Sequence, residues 1–188
     1  ALGTVTPLQT VTVRSRVEGE LLRVAFAEGQ QVRTGQLLAE IDPAPFKVRL
    51  AQAVGQQKQN LAELENTRIQ LQRYRDLVDG KYVSAQDVAN LEAQVRQFEG
   101  RREIDQAAVD EAKLQLDYTR IASPIDGRVG LRGVDVGNLV RTGDEAGLVT
   151  ITQTHPVSVV FAVPETALGQ LRAAMRRDGK LAVQAWDR

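Results

Sequence analysis

The tetrapeptide Val-Arg-Thr-Gly occurs twice, at 32–35 and at 140–143, and it is the visible part of a longer internal repeat. Gly19, Gly29 and Gly35 are spaced 10 and then 6, and Gly127, Gly137 and Gly143 follow the same spacing. Around them "EGQQVRTGQLLAEI" aligns with "VGNLVRTGDEAGLVTI". Each copy alternates in short β-like runs with glycine punctuation, and the six glycines are expected at turns, where they supply positive φ. Neither copy is long enough to close a core alone. The repeat therefore predicts one small β-sandwich assembled from two half-motifs. Whatever lies between the halves is an insertion within a single domain.

The insertion reads as two long helices. Over 46–78 apolar residues recur at 50, 54, 61, 64, 71 and 78, close to a heptad seam, with one glycine (Gly55) and no proline. Asp42 is placed to cap the start, and Pro43 and Pro45 fall in the first turn, where a missing N–H costs nothing. Over 85–119 a second seam carries Val88, Leu91, Val95, Phe98, Val109, Ala112 and Leu116. Helices of this length reach roughly 50 Å at 1.5 Å per residue. So short a connection folds them back antiparallel. Gln57 and Asn60 then fall near the level of Arg102 and Asp105, a polar layer in the middle of the seam. It reads as register control or as a contact with a neighbouring subunit.

After the second half-motif, "HPVSVVFAVPETALGQLRAAMRRDGKLAVQAWDR" reads strand, helix, strand, with Pro164 and Glu165 at the helix start and Gly179 at its exit. Two strands are too few for independent stability. Ala1–Leu8 is expected to add another from the far end of the chain. The expected class is α+β, elongated and multi-domain. Its parts are a small β-sandwich at 9–43 and 122–152, an antiparallel coiled-coil hairpin at 44–121 with its tip near 79–84, and a further strand-bearing part at 1–8 and 153–188.

Composition removes several function classes. The formal net charge is +0, which leaves no basic excess to drive nucleic-acid binding. Aromatics are only 4% of the chain, which suits several thin cores better than one thick one. Cysteine is absent, so there are no disulfides, thiolate metal sites, cysteine nucleophiles or lipidated cysteines in these residues. No apolar run approaches the roughly 18–20 residues that span a bilayer, and no signal peptide opens the chain. The abrupt start at Ala1 and the stop at Arg188 read as a trimmed or partly ordered piece. His155 is the single histidine, and the acidic residues lie mostly beside Lys and Arg on helical faces as solvated ion-pair decoration. No phosphate-binding glycine loop and no nucleophile–base pair is present. No catalytic, metal or cofactor-binding residue is expected.

The stretch "QRYRDLVDGKYVSAQDV" (72–88) is a helix that stops, a polar turn and a helix that restarts. Leu77, Tyr82 and Val83 surround the turn, where water favours polar residues. Ser84 is an N-cap candidate, with Asp87 at the capping-box position and Val83 and Val88 as a hydrophobic staple. The first helix is expected to end near Asp79, with Gly80 available for a left-handed cap.

Two half-motifs of a lipoyl-type fold, split by a coiled-coil hairpin and followed by a barrel, resemble the periplasmic adaptors of RND (resistance-nodulation-division) tripartite multidrug efflux pumps. These are the membrane fusion proteins of the HlyD/AcrA type. "VRSRVEGELLRVAFAEGQQVRTGQLLAEIDP" and "LDYTRIASPIDGRVG" look like that family's characteristic segments. The resemblance implies a structural adaptor between an inner-membrane, proton-driven transporter and a TolC-like outer-membrane channel, periplasmic and attached to the inner membrane. It implies self-association as a trimer or hexamer, and a membrane anchor on a segment absent from this chain. The family's hairpin tip carries an Arg-x3-Leu-x6-Ser pattern implicated in channel docking, and Arg73, Leu77 and Ser84 fit it. Lipoyl and biotinyl domains carry their cofactor on a lysine between the halves. Here the coiled coil takes that place and the nearest lysine, Lys47, sits in a helix start, so no cofactor is expected. Two rivals stay open: an adaptor of an ABC exporter or type I secretion system, and a lipoyl/biotinyl carrier domain of an enzyme. Bending is expected at the junctions near Asp42–Pro45, Ile121–Pro124 and Thr152–Pro156.

Overall fold

A computed structural model describes residues 3–78, 83–144, 146–179 and 183. The chain runs β1 (Gly3–Pro7), β2 (Thr10–Val13), β3 (Gly19–Val24), β4 (Gln31–Val32), β5 (Leu37–Ile41), α1 (Ala44–Val78) and α2 (Ala85–Asp117). It continues through β6 (Arg120–Ala122), β7 (Gly127–Arg132), β8 (Leu139–Val140), β9 (Val149–Thr152), β10 (Val157–Phe161) and α3 (Glu165–Asp178). The architecture is α+β. Two four-stranded antiparallel sheets, β2-β9-β7-β4 and β6-β5-β3-β8, face each other.

The repeat is a pseudo-twofold in the hydrogen bonding. Gly19 pairs with Val140 across β3 and β8, and Gly127 pairs with Val32 across β7 and β4. Leu21 N–H donates to Asn138 O and Val129 N–H to Gln30 O, both at 2.9 Å. Arg33 N–H donates to the side chain of Gln36, and Arg141 N–H to that of Asp144. The symmetry begins earlier than the glycines announce. Ser15 Oγ donates to Val17 O and Ser123 Oγ to Ile125 O, so "SRVEG" and "SPIDG" are equivalent turns. Exchanging short strands between sheets makes each half dependent on the other. Leu21, Val32, Val129, Val140, Ile41 and Ile151 from both halves are all buried in one core. At about 1.5–3 kcal/mol for each large apolar side chain removed from water, a half-motif alone would forgo much of this shared stabilisation.

The glycine expectation needs correcting at two positions. Gly29, Gly35, Gly137 and Gly143 have φ of 76°, 82°, 88° and 108°. Gly19 and Gly127 are not turn glycines: they open β3 and β7 with ordinary strand backbone. Close approach explains them instead. A Cβ on Gly127 would sit 2.5 Å from Thr152 O, and one on Gly19 2.6 Å from Ile41 Cγ2.

The hairpin departs between β5 and β6. Its root is welded to the sandwich, because Phe46 is 6% exposed within the core and Leu116 and Tyr118 pack against it. Arg16 lies over the Tyr118 ring at 5.0 Å, and Asp42 Oδ1 accepts from Ala44 N–H at 2.9 Å, capping α1. Arg120 and Ile121, assigned to the hairpin by the sequence reading, are strand residues that pair with Glu40 and Ala39. Inside the hairpin the seam of α1 keeps Leu64 and Leu71 of the apolar series but not Leu61. Asn60, Leu64, Thr67 and Leu71 are buried, whereas Leu61 is exposed. The alternating four- and three-residue steps of a coiled coil run through 60, 64, 67 and 71, so two polar residues occupy seam positions. The twofold carries the β5–α1 exit onto the β9–β10 exit. There, β10 pairs with β1 in a separate two-stranded sheet, with Gly3 opposite Phe161.

Candidate functional site

The tip is built where the hairpin runs out of buried seam. Leu64 and Leu71 of α1 pack with Val95, Val88, Leu91 and Phe98 of α2. Two interhelical ion pairs flank this layer: Arg68–Glu99 at 2.6 Å and Arg75–Glu92 at 2.7 Å. The Glu92 carboxyl is held below the usual carboxylate range, chiefly by the hydrogen bond from Arg75. Asp79, Gly80, Lys81 and Tyr82 lie outside the described residues, so the expected helix end at Asp79, the Gly80 cap and the turn itself are not described.

Ser84 is the N-cap of α2, with φ −83° and ψ 148°. Its Oγ accepts from Gln86 N–H at 3.1 Å and Asp87 N–H at 3.3 Å, and Asp87 Oδ2 accepts from Ser84 N–H at 3.3 Å. This reciprocal capping box satisfies backbone donors that would otherwise be left bare at the helix start. Ser84 therefore has a structural duty in addition to anything it does for a partner.

Arg73 and Leu77 stand one helical turn apart on α1, and Leu77 is 44% exposed. Ile69, a turn earlier on the same stripe, is 45% exposed, and Tyr74 beside it is 38% exposed. Arg68 and Arg75 are spent on interhelical pairs; Arg73 has no ion-pair partner among the described residues. The result, among the described residues, is an apolar stripe carrying a guanidinium without an ion-pair partner, beside Arg68 and Arg75 that have one. The sequence reading named Arg73, Leu77 and Ser84 and missed Ile69 and Tyr74. The spacing of Ile69, Arg73 and Leu77 was legible, but Ile69 was not distinguishable from a seam residue until the seam was placed. Ser84 belongs to the same tip, while the six glycines belong to the sandwich and do not contribute to this surface.

No group of His, Asp and Glu among the described residues is arranged to hold a metal ion.

The sequence profile described as RND MFP, barrel-sandwich hybrid domain, matches residues 9–152, which is the whole sandwich with its inserted hairpin. The chain belongs to the RND membrane fusion protein family. The multidrug resistance protein MdtA of Klebsiella pneumoniae is 52% identical over 187 residues, covering 100% of this chain and 45% of that protein. MdtA of Escherichia coli is 51% identical with the same coverage. The chain thus spans less than half the length of these relatives. Among solved structures, a MacA–MexA chimera containing the Pseudomonas aeruginosa MexA α-hairpin domain is 32% identical with a TM-score of 0.55, over 89% of this chain and 54% of that one. A membrane fusion protein from Streptococcus pneumoniae shares the fold at a TM-score of 0.66 and 20% identity, over 90% of this chain and 73% of that one. In the membrane fusion family frame, the sandwich is the barrel-sandwich hybrid and α1–α2 is its α-hairpin.

Proposed function

We propose that this chain is the central part of a periplasmic adaptor in a tripartite multidrug efflux pump. It links an inner-membrane, proton-driven RND transporter to an outer-membrane channel. The observation that carries the reading is the twofold relation between the two exits of the sandwich. One exit sends out helices of 35 and 33 residues, roughly 50 Å of reach. The other sends out the β1–β10 pair. A compact core with a long spacer at one exit and the start of another module at the other is the form of a linking protein. The similarity to MdtA over the full chain supports the drug-efflux setting.

The hairpin tip is the surface we assign to the channel. Leu77 gives an apolar contact, Arg73 a fork of donors suited to carbonyl oxygens at the end of a partner's helix or loop, and Ser84 a small polar group that also caps its own helix. Residues 9–43 and 122–152 form the adaptor's sandwich, and residues 1–8 and 153–188 belong to a β-barrel that faces the transporter. Copies pack side by side around a duct, attached to the inner membrane. Energy comes from the transporter, and the adaptor carries out no chemistry.

The test is capture from native membranes. The intact protein is cross-linked in cells, purified, and its partners and intact mass are determined by mass spectrometry. An RND transporter together with an outer-membrane channel is the expected result. Recovery of an ABC exporter in place of the RND transporter would overturn the assignment, as would a lipoyl or biotinyl adduct on the chain.

A further inference from the structure

The twofold makes β2 and β6 counterparts, since Thr10–Val13 precedes the "SRVEG" turn as Arg120–Ala122 precedes "SPIDG". Both end their sheets: β2 is paired to β9 and β6 to β5, and among the described residues no strand pairs with either on its other side. β6 is blunted in the ways exposed edges usually are. It has three residues, its ladder with β5 is broken by a register shift, and it contains Arg120, with Pro124 shortly after. β2 has none of these devices. It reads Thr-Val-Thr-Val, without charge or proline, and its four residues pair with β9 in one unbroken register.

Gln153 N–H donates to Gln9 O at 2.9 Å and Leu148 N–H to Val13 O at 2.8 Å, so the main-chain groups of Gln9, Val11 and Val13 face β9. Those of Thr10 and Thr12 point to the open side. Beside this edge is a groove of about 460 Å3 lined by both β2 and β6. Val11, Val13 and Ile121 give it apolar walls, and Arg14, Arg16 and Arg120 line it, with no Asp or Glu among the lining residues. Arg14 is engaged within the chain, and Arg16 lies over the Tyr118 ring at 5.0 Å. The carboxylates adjacent in chain or ladder are directed elsewhere or lie outside the lining. Glu40, opposite Arg120, is bonded to Arg23 at 3.2 Å. Glu18 accepts from Thr142 at 3.4 Å, Asp126 from Thr34, and Asp117 ends α2.

We propose that the open edge of β2 accepts an extended acidic segment of a partner protein as an added strand. The N–H and C=O groups of Thr10 and Thr12 supply the ladder. Alternate apolar residues of the segment enter the groove against Val11, Val13 and Ile121, and its carboxylates meet Arg16 and Arg120. The main-chain row selects this occupant over a small anion. An anion satisfies the arginines, but only an extended chain matches the alternating donors and acceptors along a strand edge. The site belongs to the sandwich alone, apart from the hairpin tip, and does not depend on the adaptor reading.

The test titrates the intact protein into a fluorescein-labelled octapeptide of alternating valine and glutamate, with the valine–lysine octapeptide as its control, and follows anisotropy. The glutamate peptide should bind about tenfold tighter, with the difference shrinking as salt is added. Arg16→Gln with Arg120→Gln should remove most of that difference. Thr12→Pro deletes an outward N–H and no bond to β9, at a position where an edge strand tolerates proline. It should weaken binding by about tenfold, whereas Thr12→Val, which loses only the hydroxyl, should bind as the parent does. Residue-resolved hydrogen exchange on the parent decides the mode even if the proline variant fails to fold. The glutamate peptide should slow exchange at Thr10 and Thr12, and decanoate, a small apolar anion, should not. Equal binding of the lysine peptide, no binding, undiminished binding by a folded Thr12→Pro protein, or unchanged exchange at both threonines would each overturn the proposal. Decanoate displacing the peptide with exchange at both threonines unchanged would make the groove a small-anion site and overturn it as well.

Discussion

Gly29 and Gly137 make the same hydrogen bond from opposite halves of the sandwich: Gly29 N–H donates to Val129 O at 2.9 Å and Gly137 N–H to Leu21 O at 2.8 Å. Both have positive φ, and neither would meet a neighbour if it gained a Cβ. The cost of substitution there is backbone strain alone. Gly29→Val and Gly137→Val should each cost about 1–2 kcal/mol. Gly127→Ala should cost more, although its φ is ordinary, because the added Cβ runs into Thr152 O and β7 must move away from β9. Thermal denaturation of the three variants checks the order, and a Gly127→Ala protein as stable as the parent would refute it.

Leu77→Asp should abolish drug resistance in cells while leaving the melting point nearly unchanged. The side chain is already half in water, so a carboxylate costs the free protein within about 0.5 kcal/mol. In a desolvated contact the same charge is unpaired and costs several kcal/mol. Full resistance with a normally exported variant would show that the tip does not dock.

Ser84 separates its two duties. Ser84→Ala removes the acceptor for Gln86 and Asp87 N–H and should cost about 1 kcal/mol of local helix stability. Ser84→Asp keeps a capping acceptor. If Ser84→Asp restores amide protection at the start of α2 but not resistance, the hydroxyl is part of the docking surface. If it restores both, capping is its whole role.

The polar layer of the hairpin centres on Asn60, which donates through Nδ2 to Asp105 Oδ2 at 2.6 Å, with Gln57 Nε2 donating to Gln106 Oε1 at 2.9 Å. Asn60→Leu alone should destabilise the hairpin by about 1–2 kcal/mol, because Asp105 loses its donor. Asn60→Leu with Asp105→Leu should be neutral or stabilising, at the expense of a less unique register. Hydrogen exchange along α1 and α2 distinguishes the two cases.

Asp126 Oδ1 accepts from both the N–H and the hydroxyl of Thr34, tying the second half of the repeat to the first. These two bonds hold its carboxyl below the ordinary carboxylate range. A carboxyl whose folded pKa is depressed stabilises the fold above its unfolded pKa of about 4, and that contribution is lost as pH falls through the lower folded value. The parent should therefore melt above Asp126→Asn at neutral pH, and the gap should close as the pH is taken below about 4. A gap that stays constant with pH would assign the effect to packing.

The sequence by itself determined most of the architecture, and for identifiable reasons. Glycine spacing and a repeated tetrapeptide are local features, so the two half-motifs were legible. Heptad periodicity survives in any window long enough to average over exceptions, so the two helices were legible too, with Ser84 marked by its partner Asp87. Tertiary structure decided what depends on atoms distant in the chain. Gly19 and Gly127 look like the turn glycines that follow them, and only the facing Ile41 and Thr152 show that they are kept bare by close approach. Leu61 looks like a seam residue, but the packing of α2 turns it outward and buries Asn60 and Thr67 instead. The junctions, alike as short linkers in sequence, differ in three dimensions. Phe46, Leu116 and Tyr118 anchor the hairpin root to the core, and among the described residues none of β1, β10 or α3 joins that core. Burial against a partner is a property of two surfaces, and a single chain of letters specifies each surface only after folding has placed it.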